Sequence, residues 1–229
     1  MIRSSLMSLL LLGLVFISCK NELKQTEGPK VESEEIATTE AIIRGFSVRD
    51  SAGTTVKDSL KAMQSMVLSD SGRELKNIFY NLDGSIAWED RYVYNEEGYK
   101  TGSRFFEQGV NKITYKYDLD EQGRRVGYSA METNSGVEMY NGFSKFLENG
   151  KVRMDGVPGP TGVVMWNYIY TFDEAGEELG YEFIGQDGKR YPSFYKVTSR
   201  DDQNRWTQRA IVENDTVVAI ETREFKKLN

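Results

Sequence analysis

Apolar and polar positions alternate along most of the chain beyond residue 40. Tyr92 and Tyr94 stand two apart, as do Tyr115 and Tyr117, and the set Tyr168, Tyr170 and Phe172. A period of two places each set on one face of a β-strand, whereas a helical stripe needs spacings of three and four. Helical spacing is faintly present around Leu60–Met66, but "SLKAMQSM" at Ser59 alternates equally well, so a strand and a short helix both remain open there. Elsewhere the pattern predicts strands.

Between the alternating runs comes a recurrent phrase. "YVYNEEGYK" at Tyr92, "YKYDLDEQGRR" at Tyr115 and "YTFDEAGEE" at Tyr170 each pass from aromatic alternation through Asp or Asn to a glycine. Looser copies are "SDSGRE" at Ser69, "YNLDGSI" at Tyr80, "FLENGKV" at Phe146 and "FIGQDGKR" at Phe183; "SRDDQNRW" at Ser199 has Asn204 in the glycine position. The turn-closing residues are Gly72, Gly84, Gly98, Gly109, Gly123, Gly136, Gly150, Gly176, Gly188 and Asn204. Their intervals are 12, 14, 11, 14, 13, 14, 26, 12 and 16, most of them matching two short strands and a tight turn. Asp or Asn opening a turn accepts bonds from backbone amides ahead of it, and Gly or Asn closing it tolerates positive φ.

The expected fold is all-β: an antiparallel meander of hairpin repeats forming a curled sheet, a barrel or a sandwich. A flat single layer would leave two long edges, which closure or layering removes. The long interval holds "GVPGPTGVV", Gly156 to Val164, whose prolines and glycines predict the longest loop and the rim of any binding mouth. From Ser69 to Asn204 the chain resembles the YD-repeat (RHS-type) sequences of exported bacterial proteins. That resemblance implies a curled β-sheet used as a shell, scaffold or interaction surface, and it brings no catalytic residues with it.

The first eighteen residues follow another rule. Arg3 precedes an apolar run from Leu6 to Ile17, broken by Ser8 and Gly13. About twelve residues make roughly 18 Å of helix, short of the roughly 30 Å needed to cross a bilayer core. The pattern is that of a secretory signal peptide. "Phe16-Ile17-Ser18-Cys19" resembles the lipobox of bacterial lipoproteins, with Phe16 where leucine is commonest. The resemblance implies cleavage after Ser18 and lipid attachment at Cys19. The expected organisation is therefore a lipoprotein signal peptide over 1–18, a disordered tether over 19–40 and a β-hairpin repeat domain over 41–229. The tether is expected from "KNELKQTEGPKVESEEIATTE", which is rich in Glu, Lys, Ser and Thr and has no aromatic residue.

Composition narrows the chemistry. Without residues 1–18 and their single Arg3, 28 bases face 35 acids, a balance of −7 that disfavours nucleic acid and anionic headgroups as main partners. The chain has no histidine, and its one cysteine is assigned to lipid, so His-dependent triads, imidazole ligands and thiolate sites fall away. The calcium-loop-like "DLDEQG" at Asp118 fails at Gln122 and again at Ser129, and reads as a hairpin turn with solvated acids. Neither a cofactor nor a metal is expected. Among 35 acids no pair is singled out for the glycoside hydrolysis that two carboxylates can perform. Trp88, Trp166 and Trp206 are the candidate ligand-contact aromatics, weighed against ordinary sheet packing.

The expectation is an outer-membrane lipoprotein of the bacterial cell envelope, facing the periplasm or the surface. It would be held to the membrane by its lipid and act on an envelope protein or glycan as a binding or interaction module. A carbohydrate- or lipid-binding module is the alternative, and a carboxylate-dependent hydrolase the second.

Overall fold

A computed structural model describes residues 37–159 and 161–228. Cys19, the expected lipobox and signal peptide and most of the expected tether lie outside the described residues. Fourteen strands succeed one another: β1 (Ala37–Ser51), β2 (Thr54–Ser69), β3 (Glu74–Tyr80), β4 (Ile86–Tyr94), β5 (Lys100–Glu107), β6 (Val110–Leu119) and β7 (Arg125–Glu132), then β8 (Glu138–Leu147), β9 (Val152–Pro158), β10 (Val164–Phe172), β11 (Glu178–Ile184), β12 (Arg190–Arg200), β13 (Trp206–Glu213) and β14 (Thr216–Lys227). Each pairs antiparallel with its sequence neighbours, and β14 pairs with β1 from Thr39↔Lys227 to Ser47↔Ala219. The sheet is therefore a closed barrel. Of the three forms the alternation allowed, the structure takes this one, and closure leaves no edge along the wall.

β1 already begins at Ala37, so the last four residues assigned to the tether belong to the wall. Leu60–Met66 lies within β2, which decides that stretch as strand.

The turn-closing residues do what their chemistry requires. All nine glycines have positive φ, between +66° and +95°, and Asn204 has φ +61°. In the turn from β6 to β7, Gly123 donates to the Asp120 carbonyl, and Asp120 Oδ1 accepts from the amides of Gln122 and Arg124. Asp173 and Asp201 repeat that pattern. Asp120 Oδ2 is held by Arg124 Nε at 2.7 Å, so both oxygens of this calcium-like acid serve the turn.

The expected long loop is absent. Gly156–Pro158 completes β9 and pairs with Val164–Trp166 of β10, so both ends of Gly156–Val164 are strand and only a short turn joins them. Gly162, at φ +78°, closes an ordinary turn in which it donates to the Gly159 carbonyl. The double interval is thus two normal ones, Gly150 to Gly162 and Gly162 to Gly176. Pro158 is tolerated because it ends its strand, where a missing N–H costs the ladder little.

Antiparallel alternation gives the barrel two unlike rims. Ala37, Leu228 and the turns after even-numbered strands form the terminal rim; the turns after odd-numbered strands form the distal rim. At the distal rim β1 and β2 stay paired to Ser51↔Thr54, past the last β14 partner at Ser47 and the first β3 partner at Met63. They continue there as a two-stranded ribbon.

Candidate functional site: the inner wall of the barrel

Residues directly opposite in an antiparallel pair share a face. Register therefore puts Asn77, Phe79, Trp88, Asp90, Tyr92, Ser103 and Phe105 on one side of β3–β5. The same side carries Tyr115, Tyr117, Tyr128 and Tyr140 on β6–β8, then Arg153, Asp155, Tyr168, Tyr170, Tyr181 and Tyr195 through β12, and Arg209, Glu221 and Arg223 on β13–β14. Burial raises the pKa of Tyr92, Tyr115, Tyr117, Tyr170 and Tyr195 on this side. The opposite side holds the exposed Arg91, Lys116, Asp118, Lys145, Lys196, Glu224 and Lys226. The aromatic side is the inner one.

Charges at these outward positions distinguish the wall from a lipid-facing barrel, whose outer band is apolar over about 25 Å. The outer wall here meets water.

Inside, the barrel has no ordinary core. Among the described residues the buried hydrophobic side chains are Ala41, Ala130, Trp206 and Ala210. Tyr140, Phe183 and Tyr191 point inward and are still 43%, 37% and 52% exposed. A ring of 14 strands, spaced about 4.8 Å and tilted about 40°, encloses roughly 28 Å between backbones. Side chains from both sides leave a lumen of roughly 15 Å.

Two zones line that lumen. Towards the distal rim, rings pack chiefly on rings: Phe79 stacks on Trp88 at 3.8 Å, and Trp88 meets Phe105 at 5.6 Å. Tyr115, Tyr128 and Tyr140 meet edge to face, with the Tyr115 and Tyr140 hydroxyls 2.7 Å apart. Tyr168, Phe183 and Tyr191 continue as a ladder at 5.2 and 6.0 Å.

Towards the terminal rim runs a belt of cations on aromatic faces. Lys100 Nζ lies 3.5 Å from the Tyr92 centroid and 3.1 Å from Glu74. Arg125 faces Tyr117 and Tyr128 and reaches Asp155 at 3.6 Å. Arg153 covers Tyr170 at 4.3 Å and lies 3.2 Å from Asp155, at an angle that makes an ion pair without a hydrogen bond. Arg209 sits 3.7 Å from the Tyr195 centroid and 2.6 Å from Glu221, and both it and Arg223 lie against the Trp206 ring, at 4.4 and 4.0 Å. Burial, with Arg209 and Arg205 nearby, lowers the Arg223 pKa to about 10.

A shared irregularity builds this belt. Register shifts fall at Leu68, Tyr94, Leu119, Phe172 and Arg200, each opposite the residue two places after a turn-closing Gly or Asn. Those partners are Glu74, Lys100, Arg125, Glu178 and Trp206. A bulge adds one residue to a strand and re-aims the side chains beyond it. The sequence phrase locates the turn; the cations and acids behind it show their inward aim once the bulge is known.

Two inner-wall acids have raised pKa values. Burial, reinforced by Glu74 and opposed by Lys100, pushes Asp90 up to about 6. Its Oδ1 and that of its cross-strand partner Asn77 are buried and accept no hydrogen bond from the protein. Burial likewise raises Glu178, against the pull of Arg209 and Arg153.

The three tryptophans are separated. Trp88 stands in the ring zone and Trp206 is 5% exposed within the belt. Trp166 is half-buried against Gly156, where a Cβ would come within 3.0 Å of its ring. The exposed aromatic surface of the inner wall belongs instead to Tyr140, Phe183 and Tyr191. Sequence reasoning passed over these because alternation gives a shared face without saying that it is left uncovered.

No protein-family model matches the chain, and no curated protein matches it. Among solved structures it is similar to a porin-like protein from Bacteroides uniformis ATCC 8492, at 8% identity and TM-score 0.38, over 82% of this chain and 97% of that one. It is also similar to a chain in the TcdB2-TccC3-Cdc42 structure, at 12% identity and TM-score 0.26, over 74% of this chain and 11% of that one.

Proposed function

We propose that the chain is a lipid-anchored lipoprotein of the bacterial cell envelope whose barrel is a binding module, with the inner wall as its binding surface and a glycan as its ligand. The observation that carries this reading is that Tyr140, Phe183 and Tyr191 point inward and remain exposed. Flat rings beside polar groups suit sugars, whose C–H faces stack on aromatics while their hydroxyls seek polar partners. An envelope protein presenting an extended segment is the other ligand such a wall would take.

The hydrolase alternative has its foothold at Asp90, held near neutrality beside Glu74. One of Asp90's two carboxyl oxygens is closed from solvent, and binding is preferred.

Affinity electrophoresis of the purified protein through gels containing a β-glucan, an α-glucan or a mannan tests the ligand. Retardation by at least one polysaccharide is expected, with Phe183→Ala and Tyr191→Ala each weakening it roughly tenfold, in line with about 1 kcal/mol or more per lost ring contact. No retardation, or retardation untouched by both substitutions, overturns a glycan site on the inner wall. The anchor is tested by labelled palmitate in a bacterial host. Label that disappears with Cys19→Ala supports lipidation, and label retained by that variant sinks it.

A further inference from the structure

The barrel's two rims differ in chemistry. The six connections of the terminal rim hold eleven acids and four bases, whereas the seven of the distal rim hold three acids and one base. Apolar exposure runs the other way. Leu82, Ile86, Val110, Val137 and Val163, at 63%, 51%, 51%, 58% and 69% exposed, all stand at the distal rim. Among the described residues, the other large apolar side chains exposed by more than half are Tyr191, at the same rim, and Phe194, on the outer wall. The five form an arc over four successive hairpins, from β3 to β10.

We infer that this arc docks the barrel on a lipid bilayer, the one that holds the lipid on Cys19. The inference rests on the lipoprotein reading for which bilayer is met, and on the rim's own chemistry for the contact. Hairpin tips two strands apart are separated by roughly 12 Å, so the arc is a row of fingers and not a continuous patch. A folded protein partner would need a surface shaped to fill those gaps; fluid lipid fills them by itself. Each finger gains its transfer free energy independently. The acidic terminal rim then points away from the headgroups.

Chain length permits the arrangement. Seventeen residues separate Cys19 from Ala37, where the wall begins at the terminal rim. Extended, they span at most roughly 60 Å, more than twice a wall of roughly 25 Å. The β1–β2 ribbon stands about five strands from the centre of the arc, so docking tilts the barrel towards the arc and lifts the ribbon clear. The lumen stays open at the terminal rim.

The test uses the chain from residue 19 onward with Cys19→Ser, which lacks both lipid and leader; all fourteen strands lie within it. Flotation with phosphatidylcholine vesicles reads the rim alone. The protein is expected to float at millimolar lipid, and Leu82→Glu with Val163→Glu to lower the partition coefficient at least tenfold. Leu147→Glu, on the terminal side, is expected to leave it unchanged, and circular dichroism to show all variants folded. Failure of the parent chain to float, or an equal loss with Leu147→Glu, overturns the inference. So does a solution dimer that the paired substitution converts to monomer, since a second copy would then cover the arc. Palmitate labelling is independent of all these outcomes, so failure of the anchor and failure of the rim are told apart.

Discussion

Asp90 shows what the inner wall asks of single residues. Its carboxyl faces Glu74 and Lys100 in a half-buried setting, and its pKa is raised from 3.8 to about 6. The unfolded chain ionises Asp90 near pH 4 and the folded one near pH 6, so its contribution is intact below pH 4 and lost as pH rises through 6. Asp90→Asn is therefore expected to leave stability at pH 4 unchanged and to raise it at pH 8 by about 1–2 kcal/mol, discounted for solvent screening. Urea unfolding at the two pH values checks this. Asp201 has the opposite sign: its hydrogen bonds from Arg205 lower its pKa, so that contribution is present above pH 4 and lost on acidification. None of this was legible in the residue names. Asp90 and Asp201 are the same amino acid, and only their surroundings separate them.

At the scale of the hairpin the sequence was far more informative. Gly or Asn closes the repeated turns because φ is positive there, and Asp120, Asp173 and Asp201 open theirs because each carboxylate satisfies two amides. Gly123 carries a further constraint, since a Cβ would lie 2.1 Å from the Tyr99 ring. Gly123→Ala is thus expected to cost about 1–3 kcal/mol. Asn204→Gly, at φ +61°, should change stability by no more than about 0.5 kcal/mol. Chemical denaturation of the two variants separates a true turn-closer from a merely tolerated one. The same logic explains the misreading of Gly156–Val164. Proline and glycine density predicted a break, but Pro158 stands at a strand end and Gly162 is itself a turn-closer. The bulges two residues after the turns were invisible for a related reason. A bulge changes which face a residue takes without changing the residue, so strict alternation back from Gly102 and Gly127 would put Lys100 and Arg125 on the outer face.

For the whole molecule, the deciding contact is β1 with β14. A meander of alternating strands can curl, stack on itself or close, and hairpin signals do not choose among these. Stacking into a sandwich needs one face to be apolar enough to bury against another sheet. The inner face carries Arg153, Asp155, Arg209, Glu221 and many tyrosine hydroxyls, which such a core would desolvate without enough partners. Closure lets them keep ring faces, opposite charges and solvent together.

By itself, then, the sequence determined the local grammar: an all-β chain, its hairpins and the residues that close them. Those features depend on short-range sterics and on amides a few residues away, which the order of residues alone specifies. Tertiary structure decided that the sheet closes, which face turns inward, that the tyrosines line an open lumen, and that apolar and acidic residues part to opposite rims. Each of these depends on partners far along the chain, Thr39 with Lys227 among them, and on bulges that reverse a side chain's direction at no cost in composition.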